Sequence, residues 1–251
     1  MRIQTAQIVE PSNLSLEIEA DDSRNELARI RAAYSRRKDQ SRYSLSDPAN
    51  YLAAQEREKE ILSALTREGC LPLDNLKILE IGCGTGYWLR EFVRWGARPE
   101  NITGIDLLPE RIAEATTLCP SQITLKCQNA AQLNYSKDTF DLVFQSTVFT
   151  SIFSQHMKSQ IAREMLRVLR PTGMILWYDF TVNNPWNADV RGMPRREITQ
   201  LFPGCRFEFR KLTLAPPIGR PLARVSTLLY RTLSALKIFD THCLAAIHKA
   251  C

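Results

Sequence analysis

Three glycines at alternate positions, Gly82, Gly84 and Gly86, sit inside KILEIGCGTGYWLREFVRWG (Lys77 to Gly96), between an apolar strand and an amphipathic helix. Glycine has no Cβ, so backbone there can turn sharply and lie against a ligand, with the N–H groups of the following helix pointing at it. Such a loop suits a nucleotide or a carboxylate. Twenty residues beyond Gly86, Asp106 ends the next strand in TGIDLLPE, where a carboxylate can take both hydroxyls of a ribose. A glycine turn beside a solvated aspartate is the plain alternative, and the placement after a strand and at the head of a helix argues against it. A dinucleotide site, and with it an NAD-dependent oxidoreductase, is the competing reading, and the G-x-G-x-G spacing, in place of the G-x-G-x-x-G of such sites, weighs against it.

The elements that must position this loop follow from pattern. Short apolar runs at about 77–81, 101–105, 123–127, 140–145 and 174–179 alternate with amphipathic segments at about 87–95, 109–117 and 154–169, as expected of βαβ units around a parallel sheet. Gly96 follows the first of these helices, Pro109 starts the second, and Pro171 with Gly173 closes the third. After Asp179 the alternation changes. The loop TVNNPWNADVRGMP leads to a short helix, REITQLF, and then to two strands at about 205–214 and 241–248, which predict an antiparallel pair at one sheet edge. Upstream, residues 23–70 form an N-terminal helical cap whose second helix begins with Asp47 as N-cap and Pro48 at its first position. Residues 1–22 are polar, without clear periodicity, and are expected to be a poorly ordered tail; 23–251 is expected to be one domain.

Bulk properties limit the classes. The chain has 251 residues, enough for one full sheet core, and 33 basic against 27 acidic side chains, a net charge of +6 too small and too interspersed to require a nucleic-acid partner. Seven cysteines, at 70, 83, 119, 127, 205, 243 and 251, show no CxxC or Cys/His spacing, so neither a disulfide framework nor a metal site is expected. The first residues lack the basic-then-apolar order of a signal peptide, and no run of 18 apolar residues occurs. A soluble, cytoplasmic protein with reduced thiols is the expectation.

On KILEIGCGTG and TGIDLLPE the chain resembles the class I S-adenosylmethionine-dependent methyltransferases, over about residues 45–250. The resemblance implies a Rossmann-like α/β fold: a seven-stranded, mostly parallel sheet with an antiparallel terminal strand pair, in three α/β/α layers. It matches Glu80 to the acidic residue that ends the family's first strand. It also implies that the loop Gly82, Cys83, Gly84 and Gly86 holds the methionine part of S-adenosylmethionine, that Asp106 holds the ribose, and that Leu107 flanks the adenine. The family's third motif, commonly Asp-Ala, appears here as Asn129-Ala130, which keeps an acceptor oxygen and loses the charge.

The fourth strand, FDLVFQSTVFTSI, carries Gln145 at its carboxyl end, where ligands of open α/β sheets sit, so Gln145, Ser146 and Thr147 are expected to line the cofactor, with Phe149 and Thr150 nearer the acceptor. Core packing is an equally good role for Phe149. If the acceptor is a hydroxyl, a base is useful, and Asp179, Tyr178 and His156 are the positional candidates.

Acceptor choice depends on additions to the sheet. The N-terminal cap carries Arg31, Tyr34, Arg36, Tyr43 and Tyr51, able to close over a cofactor. Segment 215–240 places Leu222, Val225, Leu228, Leu229, Leu233 and Leu236 at helical spacing among Arg220, Arg224, Arg231 and Lys237, which predicts one basic amphipathic helix that either packs on its own domain or, through 220–237, meets an anionic membrane. The stretch YDFTVNNPWNADVRGM resembles bacterial methyltransferases of glycan or secondary-metabolite assembly. It implies a small-molecule, saccharide or lipid-linked hydroxyl as acceptor and no nucleic acid. N- or C-methylation of a natural product or quinone, methylation of RNA or protein, and a non-catalytic cofactor-binding protein are the other readings.

Overall fold

The computed structural model describes residues 11–36 and 44–250. The strands are β1 (Ile78–Ile81), β2 (Ile102–Asp106), β3 (Thr124–Cys127), β4 (Phe140–Ser146), β5 (Leu169–Phe180), β6 (Arg206–Leu214) and β7 (Asp240–His248). They form one sheet in the order β3-β2-β1-β4-β5-β7-β6. β7 alone runs against its neighbours, pairing antiparallel with β5 and with β6; the remaining contacts are parallel. The expected seven-stranded sheet is therefore present, with the last strand in sequence inserted beside β5 and β6 at the edge.

Alternation of side chains across the strands gives the sheet two apolar faces. On one, Leu79, Ile81, Val143, Ile175 and Trp177 pack under α1 (Pro11–Ser35), α5 (Gln155–Val168) and α6 (Arg195–Leu201), through Ile30, Ile161, Met165, Ile198 and Leu201. On the other, Ile78, Leu142, Phe144, Leu176 and Tyr178 pack against α2 (Pro48–Arg67) and α3 (Tyr87–Arg94), through Ile61, Leu65, Trp88 and Phe92. Removing these side chains from water, at about 25 cal/mol per Å² of apolar surface, is the main favourable term holding the three layers together.

Local signals set the helix ends. The Asp47 carboxylate accepts the N–H groups of Ala49 and Asn50 at 2.9 and 3.4 Å, with Pro48 at the first helical position of α2. Ser154 caps α5 by accepting from Met157 N at 3.2 Å. The end of α5 differs from expectation. It stops at Val168 and β5 starts directly at Leu169, so Pro171-Thr172-Gly173 is a bulge within the strand: Phe140 pairs with Leu169 and Leu142 with Met174. A Cβ on Gly173 would come within 2.7 Å of the Asp141 carbonyl oxygen, which explains a glycine at the bulge.

Two further expectations need correction. Residues 11–22 were expected in the tail but belong to α1, and residues 1–10 lie outside the described residues. Segment 215–240 is two helices rather than one, α7 (Pro216–Val225) and α8 (Thr227–Ala235). Ser226 adopts an extended backbone that ends α7, and its hydroxyl accepts the Leu229 N–H at 3.3 Å to start α8. Ala49 and Leu52 of α2, Leu214, Ala223 and Tyr230 form a small separate core that docks this pair over the sheet.

Candidate active site

The carboxyl ends of β1, β2, β4 and β5 open into a cavity of about 1290 Å³. The glycine loop forms one wall. Gly82, Gly84 and Gly86 all take left-handed backbone, with φ of +67°, +53° and +76°. A Cβ on Gly82 would lie 2.4 Å from Val148, so the loop passes too close to the β4 end for any side chain. The Asp106 carboxylate fastens the turn: one oxygen accepts Gly84 N at 2.9 Å, the other Leu108 N at 3.0 Å. Burial nevertheless pushes the Asp106 carboxyl above the ordinary range, against those two hydrogen bonds.

Most of the expected cofactor residues meet here. Glu80, Gly82, Cys83, Gly84, Asp106, Leu107, Asn129, Ala130, Ser146, Thr147 and Thr150 line the cavity. Gly86 stands just behind, at the head of α3, with the Cys119 sulfur where its Cβ would be. Glu80 is buried, and one of its carboxylate oxygens has no hydrogen-bond partner. Burial first, and then the nearby Asp106, raises its pKa well above the usual value. An orphaned carboxylate and the Asp106 oxygens on a cavity wall fit a ligand carrying an ammonium or sulfonium charge and ribose hydroxyls, as S-adenosylmethionine does. Asn129 uses its carbonyl oxygen within its own turn, accepting from Ala131 N at 3.0 Å, so adenine recognition by that oxygen has a competitor.

Other assignments are corrected. Gln145 is fully buried and absent from the cavity wall; its amide donates to the Tyr178 carbonyl at 3.3 Å and accepts Val148 N at 3.1 Å, holding the β4 end in shape. Phe149 takes the core role that the sequence offers beside the acceptor one, packing 4.2 Å from Trp177, ring centre to ring centre. Asp179 points away from the cavity, where one oxygen accepts the Thr150 hydroxyl at 2.7 Å and burial lifts its pKa to about 7. His156, in the first turn of α5, is also off the cavity wall. Of the three proposed bases only Tyr178 lines the cavity, and burial pushes its hydroxyl to about 12. In the cap, Tyr34 lines the cavity, Arg36 pairs with Asp189 at 2.6 Å, Arg31 and Tyr51 are exposed, and Tyr43 lies outside the described residues.

The far wall comes from elements the sequence did not connect with the loop. His242 of β7 stacks on Tyr178, ring centres 5.2 Å apart, and burial lowers its pKa to about 3, so the imidazole is neutral at any ordinary pH. The Thr213 hydroxyl lies 3.0 Å from that of Tyr178. Thr213 and Thr147 both hold non-glycine left-handed backbone, with φ of +67° and +59°, a strain of the kind that collects at ligand sites. Thr213 is fixed by the carboxylate of Glu56, which accepts its N–H at 3.0 Å. Tyr230 of α8 and Pro217 of α7 close the roof. Among the described residues no group of three or more His, Cys, Asp or Glu could hold a metal ion.

Residues 78–173 match the family described as a methyltransferase domain. The chain is 32% identical to the 2-methyl-6-phytyl-1,4-hydroquinone methyltransferase of Synechocystis sp. over 123 residues, 47% of this chain and 34% of that one. It is 26% identical to a ubiquinone biosynthesis O-methyltransferase of Rhizobium rhizogenes over 156 residues, 61% of this chain and 60% of the relative. The chain thus spans between a third and three fifths of the length of these relatives. The fold matches that of the 1,6-didemethyltoxoflavin-N1-methyltransferase of Burkholderia thailandensis, with a TM-score of 0.55 over 98% of this chain and 93% of that one, at 14% identity.

Two outcomes follow from the buried carboxyls. If ionised Glu80 faces the cationic end of the ligand, binding of S-adenosylhomocysteine must release protons at pH near or below the raised Glu80 pKa, and affinity must fall as the pH is lowered through it. Calorimetry in two buffers of different ionisation enthalpy reads this release; Glu80→Gln should abolish it and weaken binding about tenfold or more. Asp179 bears on stability instead. Its folded pKa of about 7 exceeds the unfolded 3.8, so the folded state holds a proton that the unfolded state has lost. The Asp179 contribution to stability therefore falls as pH rises from about 4 to about 7, at about 1.4 kcal/mol per pH unit, and is flat above. Urea unfolding of Asp179→Asn against the unaltered protein should show this part of the slope removed.

Proposed function

We propose that this chain, whose residues 78–173 match a methyltransferase domain, moves the methyl group of S-adenosylmethionine to a hydroxyl oxygen of an apolar, lipid-linked small molecule. The observation that carries the reading is the cavity. Ligand pockets usually enclose about 300–1,000 Å³. This one, at about 1290 Å³, has a nucleoside-type wall of glycine loop and Asp106 at one end and a wall of Tyr178, Thr213, His242 and Tyr230 at the other. It has room for a cofactor and an acceptor together.

The cofactor, when bound, supplies a methyl carbon made electrophilic by its sulfonium. The protein's share is alignment and exclusion of water. α1 covers the cavity from one side and α2 with α7 and α8 from the other, contributing Ile30, Tyr34, Ala53, Pro217 and Tyr230 to its lining. His242, held neutral, can accept a hydrogen bond from an acceptor hydroxyl and orient its lone pair; its low pKa makes it a weak base, which suits an acidic phenol or enol better than an alkyl alcohol. The hydroquinone and ubiquinone-pathway relatives support an acceptor of this kind.

The lipid-linked part of the reading rests on the α7–α8 surface. Val225, Leu228, Leu229, Leu236, Ile238 and Phe239 are exposed, Val225 by 81% and Leu228 by 72%, while Leu222 and Leu233 of the same stripe pack inward. Segment 215–240 carries four basic residues, Arg220, Arg224, Arg231 and Lys237, against one acidic, Asp240; Arg224 pairs with Asp47 and Lys237 with Glu56 and Asp240, which leaves a small basic excess. Pro221 and Tyr230 of these same helices line the cavity, so the apolar face adjoins its roof. An anionic bilayer complements both the charge and the apolar surface. No helix among the described residues is long and apolar enough to cross a membrane.

Calorimetric titration tests the cofactor: S-adenosylmethionine and S-adenosylhomocysteine should bind and NAD should not, and NAD binding without the other two overturns the reading. Transfer of labelled methyl from the cofactor to a host extract should place label in the organic phase as an ether stable to mild base; label confined to RNA or protein overturns the acceptor class. Co-sedimentation should show salt-sensitive binding to phosphatidylglycerol vesicles and none to neutral ones. Leu228→Ser, Leu229→Ser and Ile238→Ser together should cut that binding about tenfold and leave S-adenosylhomocysteine affinity unchanged. No binding by the unaltered protein overturns the membrane contact.

A further inference from the structure

The roof helix α2 presents one charged side chain to the cavity that the reading above leaves unused. Arg57 lines the cavity, its guanidinium carbon 5.5 Å from the ring centre of Tyr178 and 5.7 Å from that of Trp88. Its Nε is buried without a hydrogen-bond partner, and among the described residues it forms no ion pair. A guanidinium half withdrawn from water against two aromatic rings keeps part of its stabilisation through their π faces, yet its N–H donors remain to be satisfied.

The nearby carboxylates are engaged elsewhere. Glu56 accepts from the Thr213 N–H, the Ser234 hydroxyl and the Lys237 ammonium, the latter two at 3.0 and 2.6 Å. Glu58 accepts the Tyr87 hydroxyl at 2.9 Å and pairs with Arg94 at 2.5 Å. Glu80 feels Asp106 and Arg90 as its charged neighbours. Tyr178, Tyr230 and His242, which also face Arg57, carry no negative charge at neutral pH. The cavity therefore holds a positive, forked donor with no anion of the protein to meet it. A planar fork of N–H groups matches the two oxygens of a carboxylate.

We propose that Arg57 is the carboxylate-binding residue of this cavity. Two ligands can bring that group: the amino-acid end of the cofactor, an arm that rests on the function proposed above, or an acidic acceptor.

Calorimetry compares the unaltered protein, Arg57→Met and Arg57→Lys with two probes, S-adenosylhomocysteine and 5′-methylthioadenosine, which keeps the nucleoside and thioether but lacks the amino-acid end. Fluorine NMR of 4-fluorobenzoate added to the protein saturated with S-adenosylhomocysteine reads an acidic acceptor. If the cofactor brings the carboxylate, Arg57→Met weakens S-adenosylhomocysteine tenfold or more, leaves 5′-methylthioadenosine unchanged, and Arg57→Lys falls between. If the acceptor brings it, S-adenosylhomocysteine is unaffected and the 4-fluorobenzoate line broadening seen with the unaltered protein disappears in Arg57→Met. The proposal is overturned if neither ligand responds to the substitution, or if 5′-methylthioadenosine weakens as much as S-adenosylhomocysteine. Should the unaltered protein bind neither nucleoside, the cofactor reading fails by itself, and 4-fluorobenzoate added to the protein alone, with and without Arg57→Met, decides for or against Arg57. Circular dichroism checks folding, and Arg57→Lys, which keeps the charge and loses the fork, carries the comparison if Arg57→Met unfolds.

Discussion

Between β1 and α3 the backbone must turn through three left-handed residues in five and pass within a side chain's width of Val148. That turn points the N-terminus of α3 at the cavity and frees the β1 end to show Glu80 there. It is held from the neighbouring strand. The Asp106 carboxylate grips Gly84 N, and Cys83 N donates to the Ile105 carbonyl at 2.9 Å, so the loop's shape depends on the parallel register of β1 with β2. Any slip of that register would move Asp106 from the loop and turn the strand's alternating side chains to the wrong face.

The charges around this turn are arranged at a cost. Glu80 and Asp179 are buried carboxyls and Asp106 a partly buried one, each raised by loss of hydration, and Asp106 adds its own repulsion to Glu80. Two of the three border the cavity and one does not, although all three lie at or near strand ends. Asp179 spends its hydrogen bonding on Thr150, which helps shape the turn after β4. A buried carboxyl at a strand end thus borders the cavity in one place and bonds within the protein two strands away.

A second set of contacts makes the cavity an enclosure. The core of Ala49, Leu52, Leu214, Ala223 and Tyr230 fastens α7 and α8 to α2, and Gly219 lets the Tyr230 ring approach to 3.0 Å of where its Cβ would stand. Arg224 pairs with Asp47 at the N-cap of α2, tying the two roof segments at their rim. On the opposite side α1 is anchored at the loop before α5: Glu26 accepts the Phe153 N–H, and Arg29 lies 3.7 Å over the Phe153 ring. Both additions to the sheet therefore serve the same cavity, from opposite sides.

How much of this was legible in the sequence depended on the range of the interaction. Period-two apolar runs, glycines that only a left-handed turn requires, and the Asp47-Pro48 start of α2 are local, and they determined the strands, most helices and the loop with Asp106. Where a reading depended on which way one side chain faces at a strand end, sequence could not choose: Gln145 and Asp179 turn into the protein while Ser146 and Tyr178 meet the cavity. Arg57, Thr213 and His242 carry no local motif at all. They come to the cavity because β7 inserts between β5 and β6 and α2 packs across the sheet, bringing together residues as far apart as 57 and 242. The sequence by itself determined that a nucleoside-type ligand has a loop to bind; only the tertiary structure decided what faces it, because that depends on long-range packing and strand order rather than on neighbours in the chain.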